Sequence, residues 1–503
     1  MPLILRNPAD CISGHISQHL QAESVCMKSS FRRERAGYRW LTLVTVSLGL
    51  MLIALDNSVL YTALPTLTAE LGATPSDTLW IINAYPLVMA GFLLGAGTLG
   101  DRIGHRRMFL VGITVFGAAS LLAAFAPTSG ILIASRGLLA LGAAAMMPAT
   151  LALIRLTFTD DRERSVAVAT WSSTALIAAA FGPMVGGVLL EHFWWGSVFL
   201  INVPIVLIAI GLASAVAPHD EPNPHSRWNA ISSLQATAAL AGLVFAIKSS
   251  AAADPVSASC AACVAAIAGW LFVRRQRVME HPLLDLQLFR QPQFASGVVA
   301  ALITMFIMAG LQLLITQRYQ LADGYSPLQA GLLVSAIALG ALPASFLASA
   351  LAHRQPVRRL LIGGFTAVLV GLLVVLLSPP TLVPAVAAAL LLAGFGVGLT
   401  MTIASLSIIN GAPPHRAGMA SAIEEVSYEL GALLAVALLG SLLAAFRSTG
   451  PVGRDNISGL VAGYSWLLAL TWIITASTMV LLARILRGKT ADSPASEKSP
   501  TSA

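Results

Sequence analysis

Charge is scarce in this 503-residue chain: only 11% of its residues are Asp, Glu, Lys or Arg, whereas 56% are hydrophobic. The mean hydropathy is +0.79. Soluble domains carry about 25% charged residues, because charge keeps their surfaces in water. The scarcity of charge therefore excludes a soluble globular protein. It also argues that the net charge of +7 reflects membrane topology and not a nucleic-acid-binding surface.

Sequence motifs for catalysis and metal binding are also lacking. Cys260 and Cys263 lie two residues apart in an apolar segment, without the histidine or second pair that a zinc site would need. The chain has no Walker A sequence and no nucleophile elbow. We therefore expect no enzymatic activity, no metal and no cofactor, with transport energy supplied by an ion gradient or by a separate subunit.

Long apolar segments fill most of the chain, and many reach the length of about 20 residues that an α-helix needs to cross a bilayer. We predict an all-α membrane protein with fourteen transmembrane helices. They lie at residues 40–63, 79–99, 108–126, 131–154, 166–190, 197–216, 229–248, 256–273, 295–317, 328–351, 360–378, 382–408, 417–445 and 460–483.

The basic residues predict the orientation of these helices, since Lys and Arg concentrate in cytoplasmic connections. If the N-terminus is cytoplasmic and the helices alternate in direction, 25 of the 30 basic residues lie on the cytoplasmic side, in connections, in tails or at helix ends. Arg136 falls within a helix, and only Lys248, Arg318, Arg447 and Arg454 fall outside. We therefore expect both termini in the cytoplasm.

An internal repeat predicts the domain organisation. Arg102, Arg106, Arg107 and Gly112 recur 252 residues later as Arg354, Arg358, Arg359 and Gly364. We predict two six-helix halves, over residues 39–216 and 295–485, separated by an inserted helix pair and linker over 217–294. Disordered tails are expected at 1–38, where translation from Met27 is an alternative to Met1, and at 486–503.

Ionisable residues within the predicted helices are few, and such residues are costly unless they serve function. The acids are Asp56, Glu424, Glu425 and Glu429, and the single base is Arg136. This acidic excess suits a cationic substrate, protons, or both. An ionised carboxylate without a partner is costly in a low dielectric. Such a group therefore binds either a proton or a substrate cation, and can exchange one for the other.

The connection after the second helix, GTLGDRIGHRRMF, resembles the loop between helices 2 and 3 of major facilitator transporters. The matching residues are Gly97, Leu99, Asp101, Arg102, Gly104, Arg106 and Arg107. The resemblance implies a cytoplasmic loop that controls conformation, whereas charge alone would make it a solvated membrane anchor. Parallel six-helix halves are also how such transporters are built.

Two motifs resemble the fourteen-helix drug:proton antiporters of this superfamily. LDNSVLYTALP places Asp56 in the first helix, and the resemblance implies a role in cation recognition or proton coupling. SRGLLALG places Arg136 in the fourth helix, where it would set the ionisation of a neighbour or stabilise one conformation. Two structural alternatives remain: Asp56 satisfied by Arg136 and local hydroxyls, and Arg136 bonded to backbone carbonyls.

The fifth helix carries AAAFGPMVGG, which resembles an antiporter motif associated with export. Gly182, Pro183, Gly186 and Gly187 match, and Ala178 replaces a glycine. The resemblance implies that this helix seals one face against leak. A generic kinked packing helix is the alternative, because proline breaks a backbone bond and glycines allow close approach.

The thirteenth helix carries GMASAIEEVSYELGA, which resembles a helix of quaternary-ammonium exporters in the same subfamily. Glu425 and Glu429 are spaced i, i+4 and share a helix face, while Glu424 shares a face with Tyr428. The resemblance implies a coupling or substrate role for these acids. Solvated glutamates near the cytoplasmic helix end are the alternative.

Over residues 40–485 the chain is thus similar to methyl viologen and quaternary-ammonium exporters. The resemblance implies a proton-driven transporter that works as a monomer and exports lipophilic cations and dyes across the bacterial cytoplasmic membrane. Export of one endogenous antibiotic or siderophore is an alternative, as is import of a nutrient. One departure concerns Asn83, where many relatives carry Asp, so one proton or cation site is expected to be missing.

Overall fold

The computed structural model describes residues 8–218, 229–279, 282–379, 381–413, 417–448 and 455–486. For residues 8–37 it describes the backbone alone. Every regular element in the described part is helical. The C-terminal tail predicted to be disordered lies outside the described residues from position 487 onward.

The first group of helices comprises α1 to α7. Their bounds are Pro8–Glu70 (α1), Pro75–Ile103 (α2), His105–Ala124 (α3), Ser129–Thr157 (α4), Asp161–His192 (α5), Ser197–Leu200 (α6) and Asn202–Val216 (α7). The short α6 and α7 together form one membrane span, Ser197–Val216. Threonine and aspartate side chains cap several of these helices, as at Thr128 before α4 and Asp160 before α5.

Two further helices, α8 (Ala230–Ala251) and α9 (Pro255–Val278), separate this group from the second. The second group comprises Pro292–Gln317 (α10), Pro327–Leu351 (α11), Val357–Leu377 (α12), Val383–Asn410 (α13), Ala417–Ala435 (α14), Ser441–Ser448 (α15) and Asp455–Ile485 (α16). A π-helical turn, Arg318–Ala322, extends α10, and another, Val436–Gly440, joins α14 to α15.

The described residues contain thirteen helices that are long and apolar enough to cross a membrane. The two arms of α2, Pro75–Leu93 and Gly95–Ile103, form a fourteenth span with a bend of 57°. Glycine-rich sequence surrounds the bend, and glycine is a common cause of such kinks. The chain is therefore a multi-pass membrane protein, and the prediction of an all-α fold with fourteen spans is confirmed.

Helix α1 is longer than the sequence suggested at both of its ends. It begins at Pro8, within the segment predicted to be a disordered tail, and it continues through Pro65 to Glu70. Once a helix is nucleated, each added residue contributes one backbone hydrogen bond, so a stable span can extend into polar flanking sequence. The membrane-spanning part is Tyr38–Glu70.

The two helix groups pack internally in the same pattern. In the first group α1 packs against α5 and α7, and α4 packs against α2 and α3. In the second group α10 packs against α14 and α16, and α13 packs against α11 and α12. Glycines in the repeated segments make equivalent close approaches, Gly112 to the Gly142 carbonyl on α4 and Gly364 to the Gly396 carbonyl on α13. The exact boundaries of the two halves remain a prediction.

The bundle has two ends that differ in charge. We call the end that holds the α2–α3 connection, with Arg102, Arg106 and Arg107, the arginine-rich end, and the other the opposite end. Two contacts that join the groups lie near the opposite end. Gly187 meets Leu328, and Ser326 donates a hydrogen bond to Glu191 (2.6 Å).

Helices α8 and α9 pack tightly against each other but differ in their surroundings. Helix α8 packs against α2. Helix α9 is largely exposed at the surface of the bundle, and only 11% of its apolar stretch is buried inside the protein. Gly91 of α2 leaves room for Thr237 of α8. A small apolar cluster then joins three helices, with Leu87 on α2, Val244 on α8, and Leu433 and Ala437 beside them on α14 and its π turn.

Candidate transport site

A buried ion pair lies between α1 and α4. The Arg136 guanidinium donates through Nη1 to Oδ2 of Asp56, and the side chains are 1% and 0% exposed. Charges buried this deeply are stable only when they are paired and hydrogen-bonded. The pairing of Asp56 with Arg136, considered above as an alternative, is therefore present in the structure.

The guanidinium has three further partners. Its Nε donates to the Ile81 carbonyl (3.3 Å), and Nη2 donates to Oδ1 of Asn57 (3.5 Å). Its Cζ atom lies 4.8 Å from the ring centroid of Tyr85, a cation–π arrangement. Bonding to a backbone carbonyl, the alternative considered for Arg136, thus occurs together with the ion pair. Both α2 partners fix the arginine between α1, α2 and α4.

The other oxygen of Asp56 is held by an amide. Asn202, at the start of α7, donates through Nδ2 to Oδ1 of Asp56 (3.2 Å) and lies at the same distance from the hydroxyl of Ser120 on α3. Local hydroxyls do not satisfy Asp56: Ser58 donates to the Leu55 carbonyl (3.1 Å). Ser120 and Tyr85 were not among the residues singled out from the sequence, because their partners are far away in the chain.

The α14 glutamates occupy two environments. Glu429 is buried, with 7% of its surface exposed, whereas Glu424 and Glu425 are half-buried. Tyr428 donates to Oε1 of Glu424 (3.0 Å), which confirms that these two residues share a face. The described geometry thus differs from that of three solvated surface acids. Tyr428 bonds to Glu424, whereas Glu425 is subject to the charges of both Glu429 and Glu424.

The ion pair and the α14 acids lie within electrostatic range of each other. The Arg136 charge acts on Glu429, and both act on Tyr61 of α1. The structure therefore places five of the residues predicted from the sequence in one region. Asp56 pairs with Arg136, and Glu424, Glu425 and Glu429 lie on the neighbouring α14, with Glu424 bonded to Tyr428. Four acids and one arginine leave an acidic excess in this region.

The glycines of α5 are placed where no side chain would fit. A Cβ atom on Gly182 would collide with the Ser58 hydroxyl on α1, and one on Gly186 would lie 2.8 Å from Cγ1 of Val59. Gly187 faces the backbone of Leu328 on α11, and Gly331 of α11 faces the Pro183 carbonyl. The motif therefore packs α5 against helices of both groups. Its contacts on α1, Ser58 and Val59, lie within one helical turn of Asp56.

The connection between α2 and α3 is shorter than the predicted loop. Asp101 and Arg102 lie in the last turn of α2, Arg106 and Arg107 lie in the first turn of α3, and Gly104 alone joins them. Gly104 has φ +101°, a conformation that only glycine adopts without strain, so one residue reverses the chain.

The charged side chains around Gly104 bond within the first helix group. Asp101 at the end of α2 pairs with His105 at the start of α3, across Gly104 (3.2 Å). Arg106 donates to the Ser214 carbonyl at the end of α7 (2.6 Å). Gly97 lies against Pro148 of α4, with 3.8 Å between the Pro148 Cβ and a Cβ built on the glycine. These contacts thus connect α2 with α3 and α4, and α3 with α7, far from the ion pair.

Other features of the described residues lie apart from this site. A cavity of about 630 Å³ lies at the arginine-rich end beside Arg277 and Arg290, and one of about 470 Å³ lies between α8, α9 and Trp80. Cys260 and Cys263 are exposed. Within the described ranges no three His, Cys, Asp or Glu side chains come together as a candidate metal site.

Two six-helix groups with one repeated packing pattern, and buried charge between them, define a membrane transporter. The chain belongs to the Major Facilitator Superfamily, whose family model matches residues 46–436. It is 38% identical to the multidrug efflux pump LfrA of Mycolicibacterium smegmatis, over 84% of each chain. It is 39% identical to the methyl viologen resistance protein SmvA of Salmonella typhimurium, over 81% of this chain and 83% of SmvA.

A solved structure shares this fold. It is a bacterial homologue of the human lysosomal transporter Spinster in an inward-facing, unoccupied conformation, with a TM-score of 0.64 and 16% sequence identity. The match covers 91% of this chain and 99% of the other. The family model and the two relatives confirm the family that the sequence motifs predicted.

Proposed function

We propose that this transporter exports lipophilic cations, such as quaternary ammonium compounds, methyl viologen and dyes, in exchange for protons. The observation that carries the proposal is the buried charge. One half holds Asp56 already neutralised by Arg136, and the facing α14 brings Glu425 and Glu429 without an equal number of bases. Unpaired buried carboxylates are costly when ionised, so they favour either a bound proton or a bound cation.

Competition between these two ligands is the basis of the exchange. A cation entering beside Glu425 and Glu429 offsets their charge and displaces the proton, and a proton arriving later displaces the cation. Asp56 is tied by Arg136 and Asn202, so the α14 acids are the better candidates for the exchanging sites. The names of the relatives, a multidrug efflux pump and a methyl viologen resistance protein, support this substrate class.

The proposed orientation places the arginine-rich end in the cytoplasm, with both termini on that side, in the bacterial cytoplasmic membrane. The contacts of Gly187 with Leu328 and of Ser326 with Glu191 then close the external side. In this orientation the α5 glycine motif is a seal against leak from outside. We also propose that the protein works as a monomer, with the halves 39–216 and 295–485 as its moving bodies.

For the residues around Gly104 we propose a conformational role. Their contacts with α4 and α7 keep the first half rigid while it moves against the second. Loss of the Asp101–His105 contact would then slow turnover and leave substrate affinity near normal, because these residues lie far from the buried charges.

Inverted membrane vesicles test the proposal. In an energised vesicle, addition of methyl viologen or ethidium should release protons from the lumen and partly collapse the pH gradient. Vesicles that lack the protein are the control. Uptake that persists without a proton gradient but requires ATP would contradict the proposed mechanism.

A second function has one specific observation in its favour. The chain is 30% identical, over 90% of its length, to the puromycin resistance protein pur8 of Streptomyces alboniger. Export of a single antibiotic is therefore the alternative. A resistance profile in an efflux-deficient host distinguishes the two, since a cation exporter protects against many unrelated cations and a dedicated exporter against one compound.

A further inference from the structure

The cavity at the arginine-rich end has a lining that is both basic and apolar. Its volume of about 630 Å³ is within the range of about 300–1,000 Å³ that ligand pockets have. Arg277, at the end of α9, and Arg290, just before α10, lie in its wall. Apolar side chains line it as well, among them Met279, Leu284 and Leu286. Guanidinium groups bind phosphate oxygens well, so this lining suits a ligand that is part phosphate and part hydrocarbon.

The two cavity arginines are not engaged within the described part of the chain. Among the described residues, the side chains of Arg277 and Arg290 have no ion pair and no hydrogen bond, and both residues are exposed. Asp285 also lines the cavity, and its Oδ1 accepts from the backbone nitrogen of Gln287 (2.8 Å). Residues 274–290 contain four arginines and two acids. The charge around the cavity therefore favours an anion.

The end of α9 has the sequence of a helix end at the lipid headgroups. Four exposed residues at intervals of three and four form one stripe along this helix: Ile267, Trp270, Arg274 and Arg277. The Arg274 Cζ atom lies 5.2 Å from the ring centroid of Trp270. Tryptophan is enriched at the membrane–water interface, and arginine extends from helix ends toward the headgroups. A lipid chain along this stripe thus brings its phosphate to the mouth of the cavity.

The segment 282–290, which forms one wall of the cavity, is bonded to helices on both sides. The backbone nitrogen of Leu283 donates to Oε1 of Gln276 on α9 (2.8 Å). The backbone nitrogen of Asp285 donates to Sδ of Met419 on α14 (3.4 Å). A ligand bound by both arginines therefore connects the end of α9 with the segment that leads into α10, and so holds the inserted helix pair to the second helix group.

We propose that this cavity binds the phosphate of an anionic phospholipid, such as phosphatidylglycerol, from the cytoplasmic leaflet. Arg277 and Arg290 bind the phosphate oxygens, the leucines contact the glycerol region, and the exposed stripe of α9 contacts an acyl chain. Basic pockets between membrane helices on the cytoplasmic side commonly bind lipid headgroups. A soluble phosphate would use the arginines alone. The inference depends on the proposed orientation of the bundle and not on which compound is exported.

The test titrates lipids into the full-length protein, purified in detergent, and measures the affinity for the first bound lipid by native mass spectrometry. The probes are phosphatidylglycerol, phosphatidylcholine with the same acyl chains, and glycerol 3-phosphate, which has the phosphate without the chains. Arg277→Gln/Arg290→Gln removes both charges, whereas Leu286→Trp keeps them and fills part of the cavity. The matched control, Arg354→Gln/Arg359→Gln, removes two exposed arginines beside the connection between α11 and α12.

We expect the wild type to bind phosphatidylglycerol more tightly than phosphatidylcholine. An arginine beside anionic lipid contributes a factor of about five in affinity, so Arg277→Gln/Arg290→Gln should bind phosphatidylglycerol about 25-fold more weakly. Leu286→Trp should also bind it more weakly, because the headgroup has less room. The control variant should bind it like the wild type, and glycerol 3-phosphate at the same concentration should not displace it.

Three results would overturn the inference. They are equal affinity of the wild type for the two phospholipids, an equal loss in the cavity and control variants, and displacement of phosphatidylglycerol by glycerol 3-phosphate, which would indicate a site for a soluble anion. If Arg277→Gln/Arg290→Gln does not fold, unchanged phosphatidylglycerol binding in Leu286→Trp overturns it instead. The measurement uses no exported compound, so failure of proton-driven export would leave its outcome unchanged.

Discussion

Replacing Asp56 by Asn tests the buried ion pair most directly. The amide keeps the size of the carboxylate and its contact with Asn202, but it leaves the Arg136 charge without a counter-ion. Removing one member of a buried pair costs about 3–5 kcal/mol. The Ile81 carbonyl and the Tyr85 ring remain with Arg136, so we expect the lower end of this range, about 3 kcal/mol.

The assay compares unfolding temperatures of the purified variants in detergent with efflux at equal expression. Glu163→Gln is the matched control, because Glu163 pairs with Arg39 at 2.7 Å on a surface where both side chains are about one-third exposed or more. An exposed pair contributes only about 0–1 kcal/mol. Asp56→Asn should therefore unfold well below the wild type and Glu163→Gln close to it.

Adding Arg136→Met to Asp56→Asn removes the unpaired charge, so the double variant should recover part of the lost stability. Methyl viologen efflux should fall further than ethidium efflux in Asp56→Asn, because a lost charge matters more to a divalent ligand. If Asp56→Asn unfolds at the wild-type temperature and exports methyl viologen like the parent, the pair has neither of the roles argued for it.

Two other predictions concern α14 and α5. Glu425→Gln and Glu429→Gln should each impair efflux with a double variant little worse than either, while Glu424→Gln should be milder; equal and additive losses at all three would indicate a diffuse acidic surface. Gly187→Ala should lower thermal stability by about 1–3 kcal/mol and make energised liposomes leak protons, since its Cβ would lie 2.9 Å from the Leu328 nitrogen. Gly211→Ala, which meets nothing within 4 Å, is the control, and identical behaviour of the two variants would rule out a seal.

Hydropathy predicted the spans because a membrane helix is defined by length and apolar composition, both visible locally in the sequence. Hydropathy predicts that a helix exists better than it predicts where the helix begins and ends. Helix α1 continues past Pro65, and the predicted loop between α2 and α3 is a single glycine. Whether Gly104 ends a loop or makes the whole turn depends on its φ angle, which the sequence does not reveal.

The charged residues of the site were also visible in the sequence, since ionisable groups stand out in apolar helices. Their partners were not. Tyr85 and Asn202 lie 51 and 66 positions from Arg136 along the chain, and only the packing of α2 and α7 against their neighbours brings them to the ion pair. A tyrosine or asparagine in a membrane helix has many possible uses, so the sequence did not show which charged residue either one would contact.

The placement of α8 makes the two lateral flanks of the transporter, which face the lipid, different from each other. The two halves meet along two lateral seams, one between α2 and α14 and the other between α5 and α11. Helix α8 lies over the first, where Val244 packs with Leu87 and Leu433. A compound dissolved among the lipid tails therefore meets α8 on one flank and the seam between α5 and α11 on the other.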